Sequence, residues 1–350
     1  MPKFESEYLV DLATRLFVQS GASTPSAHLV AEALVRADMM GMPSHGVARV
    51  IQYIKDIEQG SIIPQAELAV TELSPTVSLV DAQWNFGQVA ALRAVESALA
   101  TARVHGMGSA LVRRCRHVGR LGAYTEAAAR AGLVALATCS TAGEGHWVAP
   151  FGGRAGRLGT NPISFAAPTD GDPVLLDFST ASLPEGRVRL FQDTGRTLPD
   201  GTLVDRRGEP SSDPADLYAD DGSPAGAITP FGGEQGYKSY GLGLMAAVLS
   251  SLLGVPTWRE EGIESHANTM WLLVIDVGRL MGEERFVGEL GELLDYVSSA
   301  EPMVGSDGVL VPGQREFQAL ARSEEQGIVV DEGIWRQLVA LAARLEVEVE

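Results

Sequence analysis

His45 and Arg49, four residues apart in Gly41-Met42-Pro43-Ser44-His45-Gly46-Val47-Ala48-Arg49, are the side chains of this protein best suited to chemistry. Val47, Val50, Ile51, Ile54 and Ile57 recur at helical spacing, and Pro43 with Ser44 can open a helix, because the first amides of a helix have no internal partner. Residues four apart then share a face, which aims an imidazole and a guanidinium the same way. The imidazole suits proton transfer near neutral pH, and the guanidinium suits gripping a carboxylate. Ser44 adds a hydroxyl beside them. The plainer reading of the same spacing is a helix start whose His caps or packs and whose Arg is solvated.

Other groups that could join such a site are scattered along the chain. His117, in Arg116-His117-Val118-Gly119-Arg120-Leu121-Gly122-Ala123-Tyr124, is either ligand-facing or a satisfied loop residue. Asp177-Phe178-Ser179-Thr180-Ala181-Ser182 follows a short apolar strand, and its acid and hydroxyls suit orienting a His, bonding ribose and phosphate, or capping a helix. Two Gly-rich runs stand out, Phe151-Gly152-Gly153 on to Gly159-Thr160-Asn161-Pro162, and Phe231-Gly232-Gly233 on to Gly236-Tyr237-Lys238. They suit tight turns, or backbone amides brought close to a phosphate with Lys238 as a compact charge. Neither run has the spaced glycines of a Rossmann fold, and no Walker run is present. No nucleophile-elbow serine and no His pair at zinc spacing occurs, which argues against a hydrolase triad and a catalytic metal; His28, His105, His146 and His266 have no partners that suggest chemistry.

The elements that must position these groups follow from periodicity. Leu9, Leu12 and Leu16 form one helical stripe and Val30, Ala33, Leu34 and Ala37 a second, opened by Thr24 and Pro25, so a small helical region leads into His45. Val77 to Asp81 is extended, and Ala-rich Gln88 to Val104 predicts a helix ending at Gly106. Strand and helix then alternate: Ser109 to Val112, Gly122 to Ala131, Leu133 to Thr138, a Gly-rich loop from Ala142 to Gly159, and Val174 to Asp177. Thr194 to Gly226 is turn-rich, Leu242 to Leu253 is an apolar helix broken by Gly254 and Pro256, Met270 to Asp276 is a strand, and Trp335 to Leu345 a terminal helix. The fold class is therefore α/β or α+β.

At 350 residues the chain can bury two cores. Its 45 acidic against 27 basic residues, a net charge of -18, disfavour nucleic acid and anionic membrane as partners, so an anionic ligand needs local positive charge. Two cysteines without metal-ligand spacing, the lack of a leader pattern and the lack of a membrane-spanning apolar run fit a cytoplasmic protein.

Taken in order, Ser44-His45-Gly46-Val47-Ala48-Arg49, His117-Val118-Gly119 through Tyr124, Pro150-Phe151-Gly152-Gly153 with Gly159-Thr160-Asn161-Pro162, Asp177 to Ser182, Gly236-Tyr237-Lys238-Ser239-Tyr240-Gly241-Leu242 and Val311-Pro312-Gly313 resemble the type 2 malate/L-lactate dehydrogenase family, nearly end to end. The resemblance implies a non-Rossmann fold: a small helical domain of residues 1–75, completed by about 300–350, and a larger α/β domain of residues 76–299 that binds NAD or NADP. It implies a homodimer with the active site near the subunit interface. It further implies interconversion of 2-oxo and 2-hydroxy acids, or in some members reduction of cyclic imines bearing a 2-carboxylate, or activity on ureidoglycolate or diketogulonate.

By the same carry-over His45 is the proton donor, Ser44 its neighbour and Arg49 the holder of the substrate carboxylate, with His117 and Asp177 at other active-site positions. The cofactor contacts implied are Ser140, Thr160, Asn161, Asp177, Phe178, Ser179, Thr180, Ser182, Arg187, Tyr237, Lys238, Gly313 and Gln314. The chain departs from the family pattern at Ser140, where relatives carry Asn after a strand, and at Arg187 for Lys, Ser239 for Gly and Gln314 for Glu. Ser140 bears most on substrate range, because a shorter hydroxyl offers different hydrogen bonds. Lost chemistry at these positions would instead leave a non-catalytic cofactor-binding homologue. Arg206 and Arg207 suit a 2′-phosphate or solvent.

Overall fold

The computed structural model of the protein describes residues 1–143, 146–193, 195–253 and 267–349; Gly254, Pro256 and His266 lie outside the described residues. Two leucine-rich stripes become helices α1 (Ser6–Gln19) and α2 (Thr24–Met39), the latter capped by the Ser23 hydroxyl, one residue before the Thr24 cap read from the sequence. After one 3₁₀ turn at Pro43–His45 the chain enters α3 (Ala48–Glu58).

A seven-stranded sheet follows. In chain order its strands are β1 (Ala69–Ser74), β2 (Val77–Asp81), β3 (Met107–Cys115), β4 (Val134–Thr141), β5 (Ile163–Ala167), β6 (Val174–Phe178) and β7 (Asn268–Ile275). In space they run β1-β2-β3-β7-β4-β5-β6. Only β2 and β3 pair in parallel, as the crossover through α4 (Gly87–His105) requires; every other neighbour is antiparallel. Helix α4 ends at Gly106 in the left-handed conformation (φ 85°), as the sequence implied. Among the described residues, the remaining helices of nine residues or more are α5 (Gly122–Arg130), α6 (Glu185–Asp193), α7 (Gly236–Ala247), α8 (Glu283–Ser298), α9 (Gln314–Gln326) and α10 (Glu332–Arg344).

Two cores hold this arrangement. Leu9, Leu12, Leu16, Phe17, Val30, Leu34, Val50, Tyr53 and Ile54 are buried together with Leu338 and Leu341 of α10. Residues 328–349 thus pack on the first 60 although they are far away in sequence. The second core sets the alanine face of α4, with Ala90, Ala94 and Ala98, against Val80, Val112, Met270 and Leu272 of the sheet. Small side chains let the helix lie close to the strands, so one alanine stripe serves where leucines would not fit.

Several elements differ from the sequence reading. Strand β4 runs to Thr141, so Ser140 lies inside it, paired with Thr269, and does not follow it. Helix α7 starts six residues before Leu242, which puts Tyr237 and Lys238 in its first turn, and it ends in a π turn at Val248–Leu252. Within the turn-rich segment, Leu203–Val204 and Pro210–Ser211 join Ala227–Ile228 in a small antiparallel sheet. Strand β5 and helices α8 and α9 are elements that the sequence reading did not place; α8 has no buried residue at all.

Candidate active site

No helix runs through His45. The Pro43–His45 turn is followed by Gly46 in extended conformation (φ -91°, ψ -154°), and α3 begins only at Ala48, so His45 and Arg49 do not share one helix face. They meet by another route. Arg49 Nε donates to the Ser44 carbonyl at 2.7 Å, and Ser44 Oγ lies 3.0 Å from His45 Nδ1, which folds the guanidinium back over the turn that carries the imidazole. The first turn of α6 borders the same spot: a Cβ on Gly186 would lie 3.4 Å from Arg49's terminal nitrogen.

His117 arrives from the loop after β3, and its ring centroid is 5.3 Å from that of His45. Gly87 at the start of α4 permits this, because a Cβ there would stand 2.5 Å from the His117 carbonyl oxygen. Gln88 donates to Tyr53 Oη at 2.8 Å, and Tyr53 Oη lies 2.8 Å from His117 Nδ1. With Gln88 donating, the phenol proton is left for Nδ1 or for the His117 carbonyl oxygen 3.4 Å away. Asp177, at the end of β6, accepts from the Gly122 amide at 2.7 Å. Beside it Arg120 is buried, one guanidinium nitrogen 2.6 Å from Glu126 and the other without a partner. Glu126 also binds Arg36 and Arg130, and these arginines hold its carboxyl below the usual range.

The electrostatics follow from burial and from this positive charge. Burial, helped by Arg49 and Arg120, lowers the His45 pKa to about 3, and burial with Arg49 and His45 holds His117 well below the imidazole range. Burial raises Asp177 against the pull of the Gly122 amide and Arg120. Both imidazoles are therefore neutral at pH 7 in a cleft whose field is positive, on a protein whose net charge is -18. That local positive charge attracts an anion that the protein's net charge repels.

A second set of motifs converges nearby. Phe151 of the first Gly-rich run meets Tyr237 of the second edge to face (6.1 Å), and Phe178 meets Phe231 in the same way (5.9 Å). Phe178 follows Asp177, so the two sets share β6. Here the hydroxyls read as ligand contacts are mostly used internally. Thr180 donates to the Thr160 and Asn161 carbonyls, Ser179 to the Thr160 carbonyl, and Ser182 to the Thr202 and Thr229 carbonyls. Ser140 donates to Asn161, whose amide reaches the Gly243 carbonyl, and both residues are buried. Arg187 stacks over Phe191, and Arg207 pairs with Asp205. Gly313 starts α9 in the left-handed region (φ 98°) with Leu175 too close for a Cβ, and the Gln314 side chain closes its own turn on the Val311 amide. Ser239 bonds the Phe231 and Gly236 carbonyls.

What faces outward is a different set. Lys238 and Tyr237 are exposed on the first turn of α7, whose N-terminus has no side-chain cap, and Phe231 and Phe151 are exposed beside them. A helix start without a side-chain cap, a lysine and flat rings fit an anionic dinucleotide with an aromatic base. Among the described residues no group of three His, Cys, Asp or Glu is placed to hold a metal ion, and no helix is long and apolar enough to cross a membrane.

A sequence profile described as malate/L-lactate dehydrogenase matches residues 4–339. The chain belongs to the malate/L-lactate dehydrogenase family. Within that family it is 30% identical to L-sulfolactate dehydrogenase of Methanocaldococcus jannaschii, over 100% of this chain and 98% of the relative. It is 32% identical to the Δ1-pyrroline-2-carboxylate/Δ1-piperideine-2-carboxylate reductase of Pseudomonas aeruginosa, over 95% and 96%. The solved structure of malate dehydrogenase from Pyrococcus horikoshii superimposes with a TM-score of 0.88 at 26% identity, covering 100% of this chain and 97% of that one. The protein is thus an oxidoreductase of the hydroxy-acid dehydrogenase and reductase class with the fold of that family, and the class implies a nicotinamide cofactor.

Sequence reading missed Tyr53, Gln88 and Arg120 as parts of this site. Each left a signal: a tyrosine on the apolar stripe of α3, a glutamine in an alanine helix and an arginine three residues after His117.

Proposed function

We propose that this member of the malate/L-lactate dehydrogenase family interconverts a 2-oxo acid and a 2-hydroxy acid with NAD(H) or NADP(H), His45 moving the proton and Arg49 holding the carboxylate. The observation that carries the reading is the Arg49–Ser44–His45 cluster, which sets a neutral imidazole beside a fixed guanidinium. In the oxidising direction neutral His45 accepts the hydroxyl proton. In the reducing direction a substrate carboxylate seated on Arg49 offsets the field that depresses His45, so that the imidazole can bind a proton and pass it to the carbonyl oxygen. The nicotinamide, when bound, supplies or accepts the hydride at the adjacent carbon. His117, its ring centroid 5.3 Å from that of His45, is placed to bond the same oxygen. Asp177 joins this cleft to the cofactor side, where Lys238 and the uncapped start of α7 meet the pyrophosphate.

The reductase relative supports a second reading, reduction of a cyclic 2-carboxy imine, which arrives as a cation and needs no strong acid. Its carboxylate would seat on Arg49 as that of an oxo acid does, so the assay below separates the two readings. The reading includes a homodimer, supported by the exposed Leu293, Tyr296 and Val297 of α8. Separate cores support a helical part completed by the C-terminal residues and an α/β part, with the boundary before β1 (Ala69–Ser74), which pairs with β2, and not at residue 75. Two buried free cysteines suit a reducing cytoplasm.

The test is oxidation of NADH and NADPH by the pure protein with pyruvate, oxaloacetate, sulfopyruvate and piperideine-2-carboxylate. Turnover on a 2-oxo acid is expected. Turnover confined to the imine replaces it with the second reading, and cofactor binding with no turnover on any of them overturns both.

A further inference from the structure

The turn that carries His45 is held by a residue outside it. Helix α3 has Val47 at its N-cap position, and Val47 has no side chain able to bond the first amides of the helix. The amides of Arg49 and Val50 bond the Gly46 and Val47 carbonyls, and the N-cap residue's own amide is held from α2: Asp38 Oδ2 accepts the Val47 amide hydrogen at 2.7 Å. The same carboxylate fills the place where a side chain at Gly46 would stand, an ideal Cβ there lying 1.9 Å from Oδ1 and 2.3 Å from Oδ2. Gly46 is not in the left-handed region, so room for this carboxylate, not backbone freedom, requires a glycine. No cation of the described residues pairs with Asp38, and burial pushes its carboxyl up to about 7 against the pull of the Val47 amide. An unpaired, desolvated carboxyl is a poor stabiliser, so its presence calls for a role in geometry.

We propose that Asp38 is a positioning residue for His45 and Arg49: by holding the N-cap amide of α3 from α2 and packing on Gly46 it fixes the Pro43–Val47 turn from which the imidazole and the anchor of the guanidinium both project. The chain of contacts is short. Asp38 fixes the Val47 amide; the turn fixes the Ser44 carbonyl that Arg49 Nε binds and the Ser44 hydroxyl beside His45 Nδ1. The apolar packing of Val47 and Val50 does not depend on Asp38, so the fold survives its loss while the turn gains freedom. The inference rests on the roles proposed above for His45 and Arg49.

The experiment compares wild type, D38A, D38N, G46A, D38A/G46A and H45A, with the oxo acid of highest turnover, by thermal unfolding and by 15N NMR of the imidazoles, the H45A spectrum assigning His45. In D38A, kcat falls by ~10- to 100-fold and KM for the oxo acid rises, as expected for a small misplacement of reacting groups, while KM for the cofactor is unchanged. The His45 Nδ1 signal moves as its Ser44 contact loosens. D38N, whose amide oxygen can still accept from Val47, recovers most of the loss in both readouts. G46A collides with Asp38, and D38A/G46A relieves that collision, so the double variant regains thermal stability but not kcat. Wild-type kcat, KM and His45 signal in D38A would overturn the inference, and so would recovery of kcat along with stability in the double variant. Wild-type turnover in H45A would instead defeat the proposed role of His45, an outcome separate from either.

Discussion

Burial, with the charges of Arg49 and Arg120, keeps the His45 ring neutral, and that constraint defines the chemistry open to it. Proton transfer from a placed imidazole contributes roughly 10²- to 10⁴-fold, so His45→Ala should lower kcat by that range, while Arg49→Ala should act first on KM for the acid. If neutralising Arg49 by a carboxylate is what lets His45 bind a proton, ligand binding takes up protons from the buffer. Calorimetry of an unreactive 2-oxo acid analogue in buffers of different ionisation heat should show uptake in wild type and none in His45→Ala; equal heats in all buffers would remove His45 as donor. Stability should respond to the same groups with opposite signs. The native Asp38 carboxyl, at about 7, binds protons more tightly than the unfolded one near 4, so its contribution is lost as pH rises through that window. Native His45, at about 3 against roughly 6.5 unfolded, contributes stability that is lost as pH falls through that range. Asp38→Asn should therefore gain on wild type from pH 4 to 7, by at most ~1.4 kcal/mol per pH unit, and level off above. Urea unfolding across that range checks it; a constant difference would mean that Asp38 ionises normally in the folded chain.

At the scale of elements, His117 depends on α3 and α4 together. Tyr53→Phe removes the hydroxyl between Gln88 and His117 and leaves a buried amide without its acceptor, at a cost of about 1–3 kcal/mol. It also frees the His117 ring, so kcat should fall more than the stability loss explains, whereas unchanged kcat would make the relay purely structural. This dependence marks what sequence can and cannot carry. Helix α4 was legible because an alanine run ended by Gly106 is a local signal. Ser44, His45 and Arg49 were legible as a set, but their geometry was not: apolar spacing from Val47 to Ile57 reads as one helix reaching back to Pro43, whereas the chain is extended at Gly46, where Asp38, eight residues away, occupies the space beside it. The hydroxyls of Thr180 and Ser182 have the composition of ligand contacts, and only the folded β6–α6 connection shows them bonded to carbonyls of other loops. Lys238 was read within a glycine-rich run because Gly236 and Gly241 weaken the helical pattern; α7 forms regardless.

For the whole molecule, the site lies where two cores meet. Tyr53 and Val47 belong to the helical core that α10 completes, whereas Val118, Leu121 and Cys115, which flank His117, belong to the core under the sheet. His45 and His117 can hold their 5.3 Å separation only if the two cores stay in fixed register. Phe86 links them, fully buried in the helical core at the residue before α4, whose alanines form the sheet's core. A defect far from the cleft should therefore be felt in both. Leu338→Ala, on α10, removes a side chain 2% exposed and should destabilise the protein by about 2–5 kcal/mol. Hydrogen exchange followed across a denaturant series distinguishes the possibilities. Joined cores lose protection in α1 to α3 and in β3 and β4 at one lowered midpoint. Loss confined to the helices, with the strands still protected at the wild-type midpoint, would show two units that fold separately and a His45–His117 pair spanning a hinge.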